Sequence, residues 1–143
     1  MRLFIHVGTE KTGSSHIQTL CVTGRDDLQA KKIWFPAGIP RHEKRMHAGL
    51  VSAGNGFLLA ELERLGKQSE VEDALKGHLE AAESMECDAV FLSSELFLPY
   101  LSGRCAWADF FNRCDEVGFR EISVLVVLRN PIEQVISLYK HRA

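Results

Sequence analysis

The sequence has no apolar run longer than a β-strand requires, and the first of these runs, at residues 2–7, is too short and too interrupted to be a signal peptide. Its cysteines form no CxxC pair and do not combine with histidine at the spacing of a metal site, so neither a disulfide framework nor a zinc site is expected. They are Cys21, Cys87, Cys105 and Cys114. The formal net charge of −2 gives no general attraction for nucleic acid or anionic membrane. We therefore expect a cytoplasmic protein that binds neither nucleic acid nor membrane. Any recognition of phosphate must then depend on a local group of residues rather than on net charge.

Three short apolar runs predict the strands of a small sheet. They span residues 3–7, 89–92 and 122–128, and their apolar residues are continuous rather than alternating, which is typical of strands buried on both faces. Long helical patterns separate the runs, so we expect parallel strands joined by right-handed crossovers. The sequence predicts an α/β fold with a short, mainly parallel sheet of about three strands flanked by helices, in one domain over residues 1–143.

Apolar spacing predicts the helices between these strands. The first helix is expected to carry its apolar stripe along Ile17, Leu20 and Leu28, with Ser15 and Gln18 at the spacing of a capping box. Further stripes predict helices over residues 58–65, 71–82 and 107–114. Residues 34–40 are expected to form a short extended piece or a turn, since proline stands at both 36 and 40.

The segment between the first strand and the first helix has the composition of a phosphate-binding loop. Residues 8–15 read Gly-Thr-Glu-Lys-Thr-Gly-Ser-Ser, directly after an apolar run and before an amphipathic one. In such a layout the backbone N–H groups and the positive end of the helix hold an anion, and Lys11 adds a cation. The alternative is a tight turn, made by Gly8 and Gly13, into a capped helix.

The position of the lysine distinguishes between nucleotide classes. A P-loop that hydrolyses ATP or GTP places lysine directly after the second glycine, whereas here Ser14 follows Gly13 and the lysine comes two residues earlier. Lys11-Thr12-Gly13-Ser14-Ser15 instead resembles the 5′-phosphosulfate loop of sulfotransferases that use 3′-phosphoadenosine 5′-phosphosulfate (PAPS). The resemblance implies a three-layer α/β/α, P-loop-like fold. It also implies that Gly8, Lys11, Thr12, Gly13, Ser14 and Ser15 bind PAPS without a metal, with Lys11 stabilising the leaving phosphate.

A second motif follows the last predicted strand. Asn130 is a good N-cap residue and Pro131 suits the first position of a helix, so Arg129 is expected at the end of a strand and Ser137 about two turns into the next helix. An arginine followed eight residues later by a serine resembles the 3′-phosphate element of the same family, which implies that Arg129 and Ser137 bind the 3′-phosphate of PAPS. The alternative is a well-capped helix with a surface arginine.

Transfer to a hydroxyl also needs a group that takes the acceptor's proton. Glu95 is one candidate because it follows the second predicted strand, whose carboxyl end should lie at the same sheet edge as the phosphate loop. In the alternative interpretation, Ser93 or Ser94 caps a helix and Glu95 complements the helix dipole. His47 is the other candidate; it lies in the basic stretch 41–47, which either closes over the cofactor or is a solvated charged loop.

The predicted function is transfer of a sulfuryl group from PAPS to a hydroxyl or amine of a small molecule or glycan. A nucleotide kinase-like phosphotransferase and a non-catalytic nucleotide-binding module are the alternatives. The resemblance covers residues 5–18 and 124–139 and implies that the chain corresponds to the N-terminal half of a larger sulfotransferase domain. An exposed sheet edge is then expected, and with it self-association into a homo-oligomer.

Overall fold

The computed structural model of the chain describes residues 1–8, 13–102, 106–128, 130–133 and 135–136. Within these residues the strands are β1 (Arg2–Gly8), β2 (Ile33–Trp34), β3 (Ala89–Ser93) and β4 (Glu121–Val127). The helices are α1 (Ser14–Thr23), α2 (Arg25–Ala30), α3 (Pro40–His47), α4 (Phe57–Arg64), α5 (Gln68–Ser84), α6 (Phe97–Tyr100) and α7 (Ala106–Val117).

The four strands form one sheet in the order β2-β3-β1-β4, and each pairing is parallel. Ile5 at the centre of β1 pairs with Leu92 of β3 on one side and with Val124 of β4 on the other. The prediction of an α/β fold with a small parallel sheet flanked by helices is therefore confirmed. The two-residue strand β2 adds a fourth strand, which overlaps the segment predicted to be extended or a turn at Trp34 alone.

Apolar residues are buried on both faces of the sheet. On one face, alternate residues of β1 and β3, such as Ile5 and Leu92, pack with α4, α5, α6 and α7 in the larger core. On the other face Phe91 packs against a smaller cluster of Val22, Phe35 and Met46, which joins α1 and α3 to the sheet. The carboxyl ends of β1 and β3 thus lie between two packed layers.

The prediction that the last strand is buried on both faces is wrong. Val124, Leu125 and Val126 of β4 are 38%, 45% and 51% exposed. Among the described residues β4 pairs with β1 alone, so its other side is an open sheet edge with apolar side chains. The exposed edge is as expected, whereas self-association through it stays a prediction.

Most helix predictions are confirmed where the structure describes them. The 17-residue helix α5 buries Val71, Leu75 and Ala82 along the predicted stripe. Gly66, with φ of 69°, separates it from α4. After β4, the side chain of Asn130 accepts a 3.0 Å hydrogen bond from the N–H of Ile132, as an N-cap does. No helix among the described residues combines the length and apolarity needed to span a membrane.

Candidate functional site

The residues that flank the predicted phosphate loop lie at the carboxyl edge of the sheet. Gly8 ends β1, and α1 begins at Ser14 with Gly13 as its N-cap residue. Gly13 has φ of 90°, a left-handed conformation that glycine adopts without strain, and its carbonyl accepts from the N–H groups of His16 and Ile17. Lys11 and Thr12 lie outside the described residues. The first-turn N–H groups of a helix have no partner within it and favour an anion.

Helix α1 turns a polar face toward the sheet, contrary to the predicted apolar stripe. Ser14, Gln18 and Val22, each four residues from the next, are buried, whereas Leu20 is 57% exposed. The predicted capping box with Ser15 is wrong as well, because the side chain of Gln18 reaches the sheet instead. The physical reason is that buried polar groups of β1 and β3 on this face require polar partners.

Those partners form a buried cluster at the strand ends, which we call the strand-end cluster: His6, Gln18, Ser52 and Ser93. Nδ1 of His6 lies 2.9 Å from Oγ of Ser93, which also accepts a 3.3 Å hydrogen bond from Nε2 of Gln18. The hydroxyl of Ser52 donates to Oε1 of Gln18 at 3.1 Å and accepts from the N–H of Gly54 at 2.9 Å. The cluster thus joins β1, β3, α1 and the segment 52–56 in one chain of hydrogen bonds.

The segment 52–56 is bound tightly to the end of β3. Oδ1 of Asn55 accepts from the N–H of Ser93 at 2.7 Å, and its Nδ2 donates to the carbonyls of Pro36 and Phe91. The N–H of Gly56 donates to the carbonyl of Ser93 at 3.0 Å. This packing leaves no space for a side chain at residue 54, where an added Cβ would lie 2.0 Å from the carbonyl oxygen of Ser93 and 2.6 Å from Nε2 of Gln18.

Substitution of Gly54 with alanine is therefore expected to lower the free energy of unfolding by roughly 2–5 kcal/mol, combining a left-handed backbone penalty of about 1–2 with an overpacking cost of about 1–3. Gly49 provides the matched control, because its φ of 68° is similar but an added Cβ would meet nothing within 4 Å. In Gly49→Ala the free energy of unfolding should fall only by the backbone contribution. Urea denaturation of both variants measures the difference, and equal losses would show that segment 52–56 does not pack on Ser93 in this way.

Two buried polar atoms of this site have no hydrogen-bond partner among the described residues: Nε2 of His6 and Oγ of Ser14. The two residues are only 2% and 1% exposed. Burial also lowers the pKa of His6, which favours its neutral form. Ser14 is the first residue of α1, and His6 points from β1 toward the same helix, as its link through Ser93 to Gln18 requires. Ser14 is therefore buried at the first residue of α1, and His6 is buried on the face of β1 that α1 covers.

The end of β4 lies beside the end of β1. The last residue of β1, Gly8, pairs with Val127, the last residue of β4. The two sequence motifs thus follow neighbouring parallel strands at one sheet edge, with Arg129 two residues after Val127 in the chain. Arg129 and Ser137 themselves lie outside the described residues.

Glu95 lies near this edge as well. Residue 94 follows β3, and its N–H donates to the carbonyl of His6 at 3.1 Å, which ties the end of β3 to β1. Glu95 is half-buried in the turn that leads to the short helix α6. Ser94 accepts from the N–H of Leu96 within that turn and does not cap α6, so the capping interpretation of Ser93 and Ser94 is wrong. The role of Glu95 as a base stays a prediction.

His47 lies on a helix rather than in a loop, because residues 40–47 form α3. Its side chain is 53% exposed, and its Nε2 lies 3.4 Å from a carboxylate oxygen of Glu43. Glu43 also accepts from Arg25 and from the N–H of Gly38. These contacts assign His47 to a salt-bridge cluster between α2 and α3. Glu95 follows the end of β3 by two residues, whereas His47 ends α3 and pairs with Glu43.

Three cysteines are placed by the structure as interior residues. Cys87 and Cys114 are buried and Cys21 is half-buried, each as a free thiol. Burial raises the pKa of Cys21 to about 11 and that of Cys114 to about 12. Thiols with such pKa values are protonated at neutral pH, and they are poor nucleophiles in that form. Cys105 lies outside the described residues.

The strand-end cluster is the part of the site that the sequence did not predict. His6 is buried, and its partner Ser93 is 87 residues away in the chain. One signal was present: His6 lies within a strand that is otherwise apolar, and it shares a face with Phe4 and Gly8. In the structure this is the face that α1 covers. A buried histidine there requires a polar residue on the inner face of the helix, and Gln18 fulfils that need.

By its fold, the chain belongs to the class of α/β proteins with a small parallel sheet flanked by helices, and its candidate site lies at the carboxyl edge of that sheet. Comparison with models of known protein families, with curated proteins and with solved structures returned no match. What this chain binds is therefore inferred from its own residues.

Proposed function

We propose that this chain is a PAPS-dependent sulfotransferase domain of P-loop-like fold, in which residues 8–15 bind the 5′-phosphosulfate and Arg129 with Ser137 binds the 3′-phosphate. The observation that carries the proposal is the parallel pairing of Gly8 with Val127. Because of this pairing, the two motifs, which are far apart in sequence, follow the ends of adjacent strands. Two sites that bind the two phosphates of one nucleotide must lie close together in this way. Ligands of open parallel sheets bind at this edge.

The local geometry at the start of α1 also supports an anion at this position. Gly13 has the left-handed conformation that lets the chain turn into the helix, and Ser14 holds a buried hydroxyl at the first helical residue. Lys11, two residues before Gly13, supplies the cation in the proposed site. Arginine at the second site offers a forked, permanently charged donor for the 3′-phosphate.

The proposed reaction needs no metal. An oxygen or nitrogen of the acceptor forms a bond to sulfur, while the bond from sulfur to the bridging oxygen of PAPS breaks and its electron pair stays on the 5′-phosphate of adenosine 3′,5′-bisphosphate. Lys11 stabilises the negative charge that develops on this bridging oxygen. The carboxylate of Glu95, which follows the neighbouring strand β3, is the better placed candidate to take the acceptor's proton.

A transfer assay tests the proposed activity. The chain is incubated with sulfur-labelled PAPS and a panel of small hydroxyl, amine and glycan acceptors, and labelled product is separated from PAPS. We expect transfer to at least one acceptor class without added metal, and loss of transfer in the Glu95→Gln variant. Binding of PAPS with no transfer to any acceptor would favour the non-catalytic nucleotide-binding module instead.

A further inference from the structure

The hydrogen bonds of the strand-end cluster define where the proton of His6 lies. A backbone N–H only donates, so the hydroxyl of Ser52 accepts from Gly54 and gives its own proton to Oε1 of Gln18. The carboxamide of Gln18 then presents its Nε2 to Ser93, whose oxygen accepts. The proton of the Ser93 hydroxyl is left for Nδ1 of His6, 2.9 Å away.

The opposite tautomer would leave two polar groups unsatisfied. If Nδ1 of His6 carried the proton, Ser93 would accept twice and its own proton would have no acceptor among the described residues. The lone pair on Nε2 of His6 would be buried without a donor as well. Buried polar groups without partners are costly, so the chain of hydrogen bonds favours a neutral imidazole with its proton on Nε2.

That proton and the hydroxyl of Ser14 are two buried donors with no acceptor among the described residues. They lie on the side of β1 that faces α1, together with the first-turn N–H groups of the helix. A ligand that only accepts hydrogen bonds and carries negative charge would satisfy all of them, and a tetrahedral oxyanion such as a phosphate or sulfate group has these properties.

We propose that Nε2–H of His6 and Oγ–H of Ser14 complete an oxyanion subsite at the start of α1, where they bind oxygens of the 5′-phosphosulfate that do not react. This assignment to PAPS rests on the proposed function, whereas the oxyanion subsite itself does not. With Nδ1 occupied by Ser93 and Nε2 protonated, His6 is a neutral donor and does not take the acceptor's proton. The chain of hydrogen bonds that runs from Gly54 through Gln18 to Ser93 keeps His6 in this neutral tautomer.

The test compares nucleotide and inorganic anion on the same 143-residue chain. Long-range proton–nitrogen NMR spectra of the histidine-labelled protein report the tautomer of His6, before and during titration with sodium sulfate at constant ionic strength and, separately, with adenosine 3′,5′-bisphosphate. We expect the Nε2–H tautomer and a saturable change of the His6 signals with both ligands.

Variants measure the contribution of the donor to affinity. His6→Asn keeps a polar group near Ser93 but removes the donor at the Nε2 position, so its affinity for both anions should fall by roughly tenfold to a hundredfold. His6→Gln, whose amide nitrogen lies near the Nε2 position, should lose less. His78→Asn is the matched control, because that histidine lies on α5, which packs on the opposite face of the sheet. Its affinity should not change.

An Nδ1–H tautomer, no saturable sulfate binding, or saturable binding that leaves the His6 signals and the His6→Asn affinity unchanged would overturn the oxyanion subsite. Sulfate binding through His6, with the bisphosphate bound no more tightly than sulfate, would support the subsite and refute PAPS binding. Tight binding of the bisphosphate with unchanged His6 signals would support PAPS binding and refute the role of His6.

Discussion

Replacement of Lys11 with alanine is expected to slow sulfuryl transfer by roughly a hundredfold to a thousandfold, the range that loss of one preorganised group at a developing charge produces. In the proposed reaction the ammonium group faces the bridging oxygen, whose charge grows only as the bond to sulfur breaks. The variant should therefore lose more in the rate of transfer than in the affinity for adenosine 3′,5′-bisphosphate.

Single-turnover transfer from PAPS and calorimetric binding of the bisphosphate separate these two effects. Lys76→Ala is the matched control, since Lys76 is an exposed lysine of α5, which packs on the opposite face of the sheet. An unchanged rate of transfer in Lys11→Ala would refute the catalytic role of this lysine. Equal losses of rate and affinity would instead mean that it only binds the nucleotide.

Arg129→Ala is expected to remove the preference for a nucleotide with a 3′-phosphate. The affinity for adenosine 3′,5′-bisphosphate should fall by roughly tenfold to a hundredfold, since a hydrogen bond between charged groups contributes about 1.5–3 kcal/mol. The affinity for adenosine 5′-monophosphate, which lacks the 3′-phosphate, should stay nearly constant. Ser137→Ala should have a smaller effect in the same direction, because serine is a neutral donor.

The four affinities of the unmodified chain and of Arg129→Ala for the bisphosphate and the monophosphate form a double-mutant cycle. This cycle isolates the interaction between Arg129 and the 3′-phosphate. Arg120→Ala serves as a control for the loss of a positive charge near β4, because Arg120 is exposed and paired with Asp115. If Arg129→Ala weakened both nucleotides equally, Arg129 would not bind the 3′-phosphate. If it weakened neither, the second motif would be a capped helix with a surface arginine.

The strands and helices that could be predicted are those whose pattern is local. β1 and β3 are central strands covered on both faces, so their continuous apolar runs predicted them correctly. The same pattern misled in β4, whose apolar residues are half-exposed because the strand lies at an edge of the sheet. A run of apolar residues predicts a strand but does not reveal which neighbours cover it.

The site was predictable where it depends on short motifs and not where it depends on contacts distant in sequence. The capping role of Asn130 follows from a residue and its next neighbours and is confirmed. The spacing of Ser15 and Gln18 wrongly predicts a capping box because the partners of Gln18, which are Ser52 and Ser93, lie 34 and 75 residues away in the chain. The close approach of Gly54 to Ser93 is likewise a tertiary contact, which no local pattern reveals.

Calorimetric titration with adenosine 3′,5′-bisphosphate in the absence of metal, in parallel with ATP and magnesium, tests PAPS recognition most directly. We expect saturable binding of the bisphosphate, at least roughly tenfold tighter than binding of ATP with magnesium, because only the former places a phosphate at each proposed subsite. Tighter, magnesium-dependent binding of ATP would identify a kinase-like phosphotransferase instead. Absence of saturable binding of the bisphosphate would contradict the assignment of the two motifs to PAPS.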